Sequence, residues 1–209
     1  MTLLLVRHAE SAGNAARIVQ GWRDEPLTEQ GLTQAAAVAD RLAAYEPHVT
    51  AVYSSPLSRA RDTAAPLAAA LELPLVENTD LREYCYGEAE GLLWAQIEER
   101  FGLTLGQWGR GTLPGEEGPS VFEKRVDVCM TELAERHEHD IAAVVTHGGV
   151  ITRIVARVLG LPDASLPRIY LSNGSLTVVD TEHGEHSLVL LNDDCHIISL
   201  VEGAGLPAN

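Results

Sequence analysis

The chain has 209 residues, enough for one sizeable domain, and with 45% hydrophobic and 22% charged residues it is not of a disordered class. Asp and Glu number 30 against 15 Lys and Arg, a formal net charge of −15. That balance argues against nucleic acid and against anionic membrane surfaces as partners, and any anionic ligand would need a local cluster of positive groups. Cys85, Cys129 and Cys195 are odd in number and widely spaced, which suggests neither a zinc site nor a disulfide framework. The opening apolar run, Leu3 to Val6, ends at Arg7 and is too short for a signal peptide or a membrane span. The expectation is a soluble cytoplasmic protein, monomeric or homodimeric, that contacts neither nucleic acid nor membrane.

In chain order, Leu3 to Val6 reads as a short buried strand ending at Arg7-His8. Thr28 is a candidate N-cap, and Leu32 to Tyr45 carries apolar residues at helical spacing. Val49 to Tyr53 is a second strand, and Ser55-Pro56 reads as a helix start, with the helix running to about Leu71. Pro74 to Val76 is a short strand and Asp80 to Gly91 is irregular. Leu92 to Arg100 looks helical, and the glycines and prolines from Gly102 to Pro119 read as loop or cap. Val121 to His137 is a helix. Ile141 to Val145 is the most strongly β-branched strand, stopping at Thr146-His147-Gly148-Gly149. Val150 to Leu159 is a helix closed by Gly160. Leu176 to Val179 and Leu188 to Leu191 read as strands joined through His183-Gly184.

This alternation predicts one α/β domain over 1–209. It is a three-layer α/β/α sandwich with a mostly parallel central sheet, and a small cap from roughly 84 to 120 lies over the carboxyl ends of the strands. Ligands of such sheets sit beyond those carboxyl ends. Arg7-His8, Ser54 to Arg59 and His147-Gly148 all fall there.

At these residues the chain resembles the histidine phosphatase superfamily, the phosphoglycerate-mutase-like proteins. The resemblance rests on four ordered blocks: Arg7-His8-Ala9-Glu10-Ser11 with Asn14, Ser54-Ser55-Pro56-Leu57-Ser58-Arg59-Ala60, Leu81-Arg82-Glu83, and Val145-Thr146-His147-Gly148-Gly149. Gln20-Gly21, Asp24 and Pro26-Leu27-Thr28 continue the first. The match runs from residue 3 to about residue 198. Ala9 stands where the family usually has Gly, and the family's Gly-Glu-Ser block is stretched into Gly115-Glu116-Glu117-Gly118-Pro119-Ser120.

The resemblance implies a phosphatase that acts on a small phosphorylated metabolite through a phosphohistidine, with no metal and no cofactor. His8 would be the nucleophile. Arg7 and Arg59 would clamp phosphoryl oxygens, since guanidinium forks match phosphate and stay charged. Arg17, Arg23 and Arg61 have weaker claims. His147 would donate to the same oxygens, favoured as imidazolium beside the anion, and Gly148 would let the backbone approach. Glu83 would protonate the leaving alkoxide and then take a proton from water. Asn14, Gln20 and Gly21 would hydrogen-bond substrate. Substrate choice is expected in Leu92 to Pro119, where Trp94, Phe101 and Trp108 are candidate contacts.

Two alternatives stand. One is a phosphoglycerate mutase, whose cap the resemblance implies to be longer and whose chain larger. The other is a non-catalytic phospho-ligand-binding module on the same fold, disfavoured because every catalytic position is filled.

Overall fold

The computed structural model describes residues 1–103, 111–161, 169–182 and 185–198. Trp108, Arg110 and the His183-Gly184 connection lie outside the described residues.

One six-stranded sheet has the order β3-β2-β4-β1-β5-β6. Strands β1 (Thr2–Arg7), β2 (Ala51–Ser54), β3 (Leu75–Glu77) and β4 (Ile141–Thr146) pair in parallel. Strands β5 (Leu176–Glu182) and β6 (Glu185–Asp193) close one side as antiparallel partners, β5 against β1 and β6 against β5. All of β4 is buried, as its unbroken apolar run requires of a central strand covered on both faces.

Side-chain alternation divides the core between two layers. Leu3 and Leu5 of β1, with Ala142 and Val144 of β4, pack on Phe122, Val126, Cys129 and Leu133 of α5 (Pro119–Arg136) and on Ile151, Ile154 and Val155 of α6 (Gly148–Val158). Leu4 and Val6, with Ala143 and Val145, face Val38, Ala39 and Leu42 of α2 (Glu29–Ala43) and Ala60, Ala64 and Leu67 of α3 (Ser58–Ala70). A third cluster of Val19, Ala89, Ile97 and Leu113 gathers α4 (Trp94–Phe101) and is joined to the first through Tyr86, which packs against both. Short helices α1 (Ala12–Ala15) and α7 (Cys195–Ile198) complete the set described.

Thr28 caps α2 as expected, its hydroxyl accepting from the Gly31 amide at 3.0 Å. The start of α3 differs from expectation. Ser55 extends the sheet ladder by donating its amide to the Val145 carbonyl, Leu57 is still extended, and the helix begins at Ser58 rather than Pro56. Its cap comes from a distant loop: Asp24 accepts from the amide and the hydroxyl of Ser58, both at 2.8 Å. Helix α6 begins at Gly148, so its two glycines form the first helical turn rather than a turn before it.

Gly31 joins α2 to the loop after β1. A Cβ at this position would lie 2.0 Å from the Glu10 carbonyl oxygen, which is backbone and has no room to yield. Gly31→Ala is therefore expected to cost about 1–3 kcal/mol of stability, measured by urea denaturation. A midpoint unchanged from wild type would show that the α2 contact is slack.

Candidate active site

Because β2, β4 and β1 are adjacent and parallel, their carboxyl ends bring Ser55, His147 and His8 together. The ladder runs one residue past the strands: His8 donates its amide to the Thr146 carbonyl at 2.9 Å. The carbonyl of His8 accepts from Asn173 at 3.0 Å. The His8 and His147 rings meet edge to face with centroids 5.2 Å apart, and both are buried.

The His8 ring has a determined tautomer. Nδ1 lies 2.8 Å from the Ala9 carbonyl oxygen, which can only accept, so Nδ1 carries the hydrogen and Nε2 the lone pair. Burial holds the His8 pKa well below its ordinary value, and Arg59 and Arg7 press it down further. The ring is neutral and nucleophilic at pH 7. Ala9 is fully buried with φ outside the left-handed region, so the methyl group in place of glycine introduces no backbone strain. Its amide donates to the Thr63 hydroxyl at 3.0 Å.

The first turn of α3 carries Arg59, only 1% exposed. Its Nη1 donates to the Arg23 carbonyl at 2.9 Å and its Nη2 to the Gly21 carbonyl at 2.7 Å. Gly21 has φ of +50°, and a Cβ there would strike the Glu90 carboxylate at 2.2 Å. Glu90 accepts from the amides of Trp22 and Tyr86, tying the Gly21–Arg23 turn to the segment after Glu83. Arg7 donates from Nη1 to the Leu171 carbonyl.

His147 pairs Nε2 with the Ser55 hydroxyl at 2.8 Å. Burial lowers its pKa well below the ordinary range, and Arg59, His8 and Arg7 add to this, so without an anion the ring is neutral rather than imidazolium. Ser55 Oγ also accepts from the Leu57 amide at 3.3 Å, and it donates its hydrogen to Nε2 in the tautomer that carries the His147 hydrogen on Nδ1.

Three side-chain nitrogens of this pocket are buried and have no hydrogen-bond partner: Arg7 Nε, Arg59 Nε and His147 Nδ1. Buried polar nitrogens of this kind are normally satisfied, and three beside His8 suit the oxygens of a tetrahedral anion when each carries a hydrogen. Glu83 closes the pocket. Its carboxylate accepts from the Gly149 amide at 3.1 Å and the Tyr84 amide at 2.9 Å, and its charge acts on both Arg7 and Arg59. A Cβ at Gly149 would lie 2.2 Å from Glu83 Oε1, whereas one at Gly148 would make only an ordinary 3.7 Å contact with Arg7 Nε. The close approach is therefore at Gly149.

Of the other expected contacts, Asn14 Oδ1 accepts from the Ser11 amide and from Asn173, and the Ser11 hydroxyl oxygen lies 2.8 Å from both Asn14 Oδ1 and Gln20 Oε1. Arg61 pairs with Asp62 on the surface, and Arg23 pairs with Glu25. Asn173 emerges only from the fold, and although Ser55 falls in the second block and Glu90 beside Gly91 follows the third, nothing in their sequence spacing marks them as partners of His147 and the Gly21 turn. Among the described residues no group of three or more His, Cys, Asp or Glu side chains could hold a metal ion, and no helix is long and apolar enough to cross a membrane.

The model of the histidine phosphatase superfamily (branch 1) matches residues 3–194. The chain belongs to that superfamily and is an enzyme of the phosphatase class. Its sequence is 34% identical over 206 residues to the metal-independent phosphoserine phosphatase of Arabidopsis thaliana, covering 95% of this chain and 84% of that one. It is likewise 34% identical over 193 residues to the probable phosphoglycerate mutase GpmB of Yersinia pestis, covering 86% and 85%. The solved structure of Bacillus stearothermophilus YhfR superposes with a TM-score of 0.86 at 29% identity, covering 94% of this chain and 98% of that one.

The neutral burial of His8 carries a sign. An unfolded histidine takes a proton near pH 6.5, while folded His8 resists it, so below that pH the unfolded state binds more protons and stability falls as pH falls. The loss approaches about 1.4 kcal/mol per pH unit until the folded pKa is reached. His8→Gln should flatten the stability profile between about pH 6.5 and 5 by that slope, followed by urea denaturation across pH. Identical slopes in variant and wild type would mean that His8 is not buried in the neutral form.

Proposed function

We propose that this chain hydrolyses phosphate monoesters of small metabolites through a phosphohistidine on His8, without a metal. The observation that carries the reading is the neutral His8 ring beside Arg7, Arg59 and His147, each with a buried, partnerless nitrogen. Arg7 Nε, Arg59 Nε and His147 Nδ1 receive the phosphoryl oxygens. Nε2 attacks phosphorus, the P–O ester bond breaks, and the leaving oxygen takes a proton that the Glu83 carboxylate has drawn from the incoming phosphate monoanion. The imidazole turns cationic as it is phosphorylated, and its Nδ1–H bond to the Ala9 carbonyl stabilises that charge. Water then attacks phosphorus and gives a proton to Glu83. The N–P bond breaks, inorganic phosphate leaves, and Nε2 regains its lone pair. The positive charge and the proton carrier both come from this chain, so no step calls for a metal ion.

The arginines also answer the −15 net charge, because a small anion is held by a local field against an acidic surface. Asn14, Gln20 and Gly21 act by shaping the Ser11 turn and the Arg59 bracket, and the segment from roughly 84 to 120 acts as the cap that admits the leaving group.

The mutase reading has a relative named for it, and length does not separate the two, since that relative is spanned over 85% of its chain. Charge favours hydrolysis. Among the described residues between Glu88 and Glu117 the cation is Arg100, paired with Glu88 at 2.7 Å, while Glu90, Glu98, Glu99 and Glu116 are acidic. A released acid carrying phosphate and carboxylate would be poorly retained there, so water reaches phospho-His8 first.

In the covalent step, His8→Ala should lose at least ~10³-fold in rate, with acid-labile, base-stable label on wild type and none on the variant. Label surviving the substitution would sink the mechanism. Activity should be unchanged by EDTA; a loss restored by added zinc or magnesium would refute the metal-free reading. Incubation with 3-phosphoglycerate and catalytic 2,3-bisphosphoglycerate should release phosphate faster than it forms the 2-isomer. Isomer outpacing phosphate on every substrate would favour the mutase.

A further inference from the structure

Arg125 lies in the second turn of α5 and its side chain is 10% exposed, within the protein rather than in the phosphate pocket. All five N–H donors of its guanidinium are used. Nε and Nη2 form a bidentate pair with Glu117, at 2.9 and 2.7 Å. Nη1 donates to the carbonyls of Asp80 and Arg82 at 2.8 and 2.6 Å, and Nη2 to the carbonyl of Glu83 itself at 2.8 Å. Glu117, 7% exposed, then accepts from the Cys85 amide at 2.8 Å. One buried ion pair therefore grips the backbone on both sides of Glu83. Two further bonds complete the hold: Thr146 Oγ1 to the Leu81 carbonyl at 2.7 Å, and Trp22 Nε1 to the Glu83 carbonyl at 2.7 Å.

These bonds are unevenly distributed. A buried pair serving only to seat α5 would spend its donors on the helix or the sheet. Here three of five go to carbonyls within four residues that end at the candidate acid. The segment has no regular ladder, only the single turn of 3-10 helix at Thr79–Leu81, so its backbone groups need partners from elsewhere. Without them, Glu83 has no fixed Cα from which to reach both the Gly149 amide and a leaving group.

We infer that Arg125, paired with Glu117, is a positioning residue for Glu83: it fixes the backbone that aims the carboxyl at the leaving oxygen. The inference rests on the reading of Glu83 as proton carrier given above. Lysine cannot replace Arg125, because a point charge with three donors on one atom cannot span the carboxylate and three carbonyls together.

The test compares an alkyl phosphate, whose leaving group needs protonation, with p-nitrophenyl phosphate, whose leaving group does not. Rates are measured for wild type, Glu83→Gln, Arg125→Lys, Glu117→Gln and the two doubles with Glu83→Gln, each checked for folding by circular dichroism and thermal melting. Arg125→Lys is expected to slow the alkyl phosphate roughly tenfold to a hundredfold and p-nitrophenyl phosphate by no more than about threefold. Glu117→Gln should shift the ratio in the same direction. In the Glu83→Gln background neither should shift it further.

Equal losses on both substrates in a folded Arg125→Lys would overturn the inference and leave a merely structural pair. So would a shift in ratio that persists with Glu83 already replaced. If both Arg125→Lys and Glu117→Gln unfold where Glu83→Gln stays folded, the pair holds the fold rather than the acid, and the inference is again overturned. Equal losses in Glu83→Gln alone would instead remove Glu83 as the acid, a failure distinct from that of Arg125.

Discussion

The structure depends on holding two guanidinium groups next to two imidazoles inside the protein. Desolvation penalises buried charge, and the charged groups in turn keep both rings neutral. The fold meets that cost with backbone carbonyls: those of Gly21 and Arg23 hold Arg59, and that of Leu171 holds Arg7. Each comes from an irregular segment, where carbonyls are not committed to a ladder. The loops at the carboxyl edge of the sheet are thus as constrained as the strands, and Gly21, at φ +50°, is the place where the chain turns tightly enough to present its oxygen.

From that constraint the division of labour follows. The sheet sets positions, because adjacent parallel strands end in register and leave His8, His147 and Ser55 side by side. Helix α6 supplies the Gly149 amide to Glu83, helix α3 supplies Arg59, and α5 reaches across with Arg125 to the loop that carries Glu83. Three of the helices packed on the sheet for apolar reasons, α3, α5 and α6, thus also deliver a polar group to the edge. Local order at the site is therefore inseparable from the packing of the layers beneath it.

Much of this was legible in the sequence. The alternation of Leu3 to Val6 and the unbroken run of Ile141 to Val145 marked the central strands, and Arg7, His8, Arg59, Glu83 and His147 stand together as their blocks implied. Boundaries were less legible. The start of α3 was misplaced because its cap, Asp24, lies more than thirty residues away in sequence. The neutral state of His147 could not be read either, because it comes from burial and from arginines brought near by the fold. Arg125 gave no signal: in sequence it is one charged residue on an amphipathic helix, and its importance lies in three carbonyls more than forty residues distant. Asn173 was hidden for the same reason, as were the partners of Ser55 and Glu90, since a polar partner carries no periodicity.

The third hydrophobic cluster of Val19, Ala89, Ile97 and Leu113 bears on how such a protein diversifies. It is joined to the layer below through Tyr86, which packs against both, and to the reactive centre along the chain, since Val19 lies two residues before the Gly21 carbonyl that holds Arg59 and Ala89 precedes Glu90. Side-chain exchanges in that cluster therefore reach the arginine bracket through two short joints, and a lineage built on this scaffold remodels it at the pace that Gly21 and Glu90 allow.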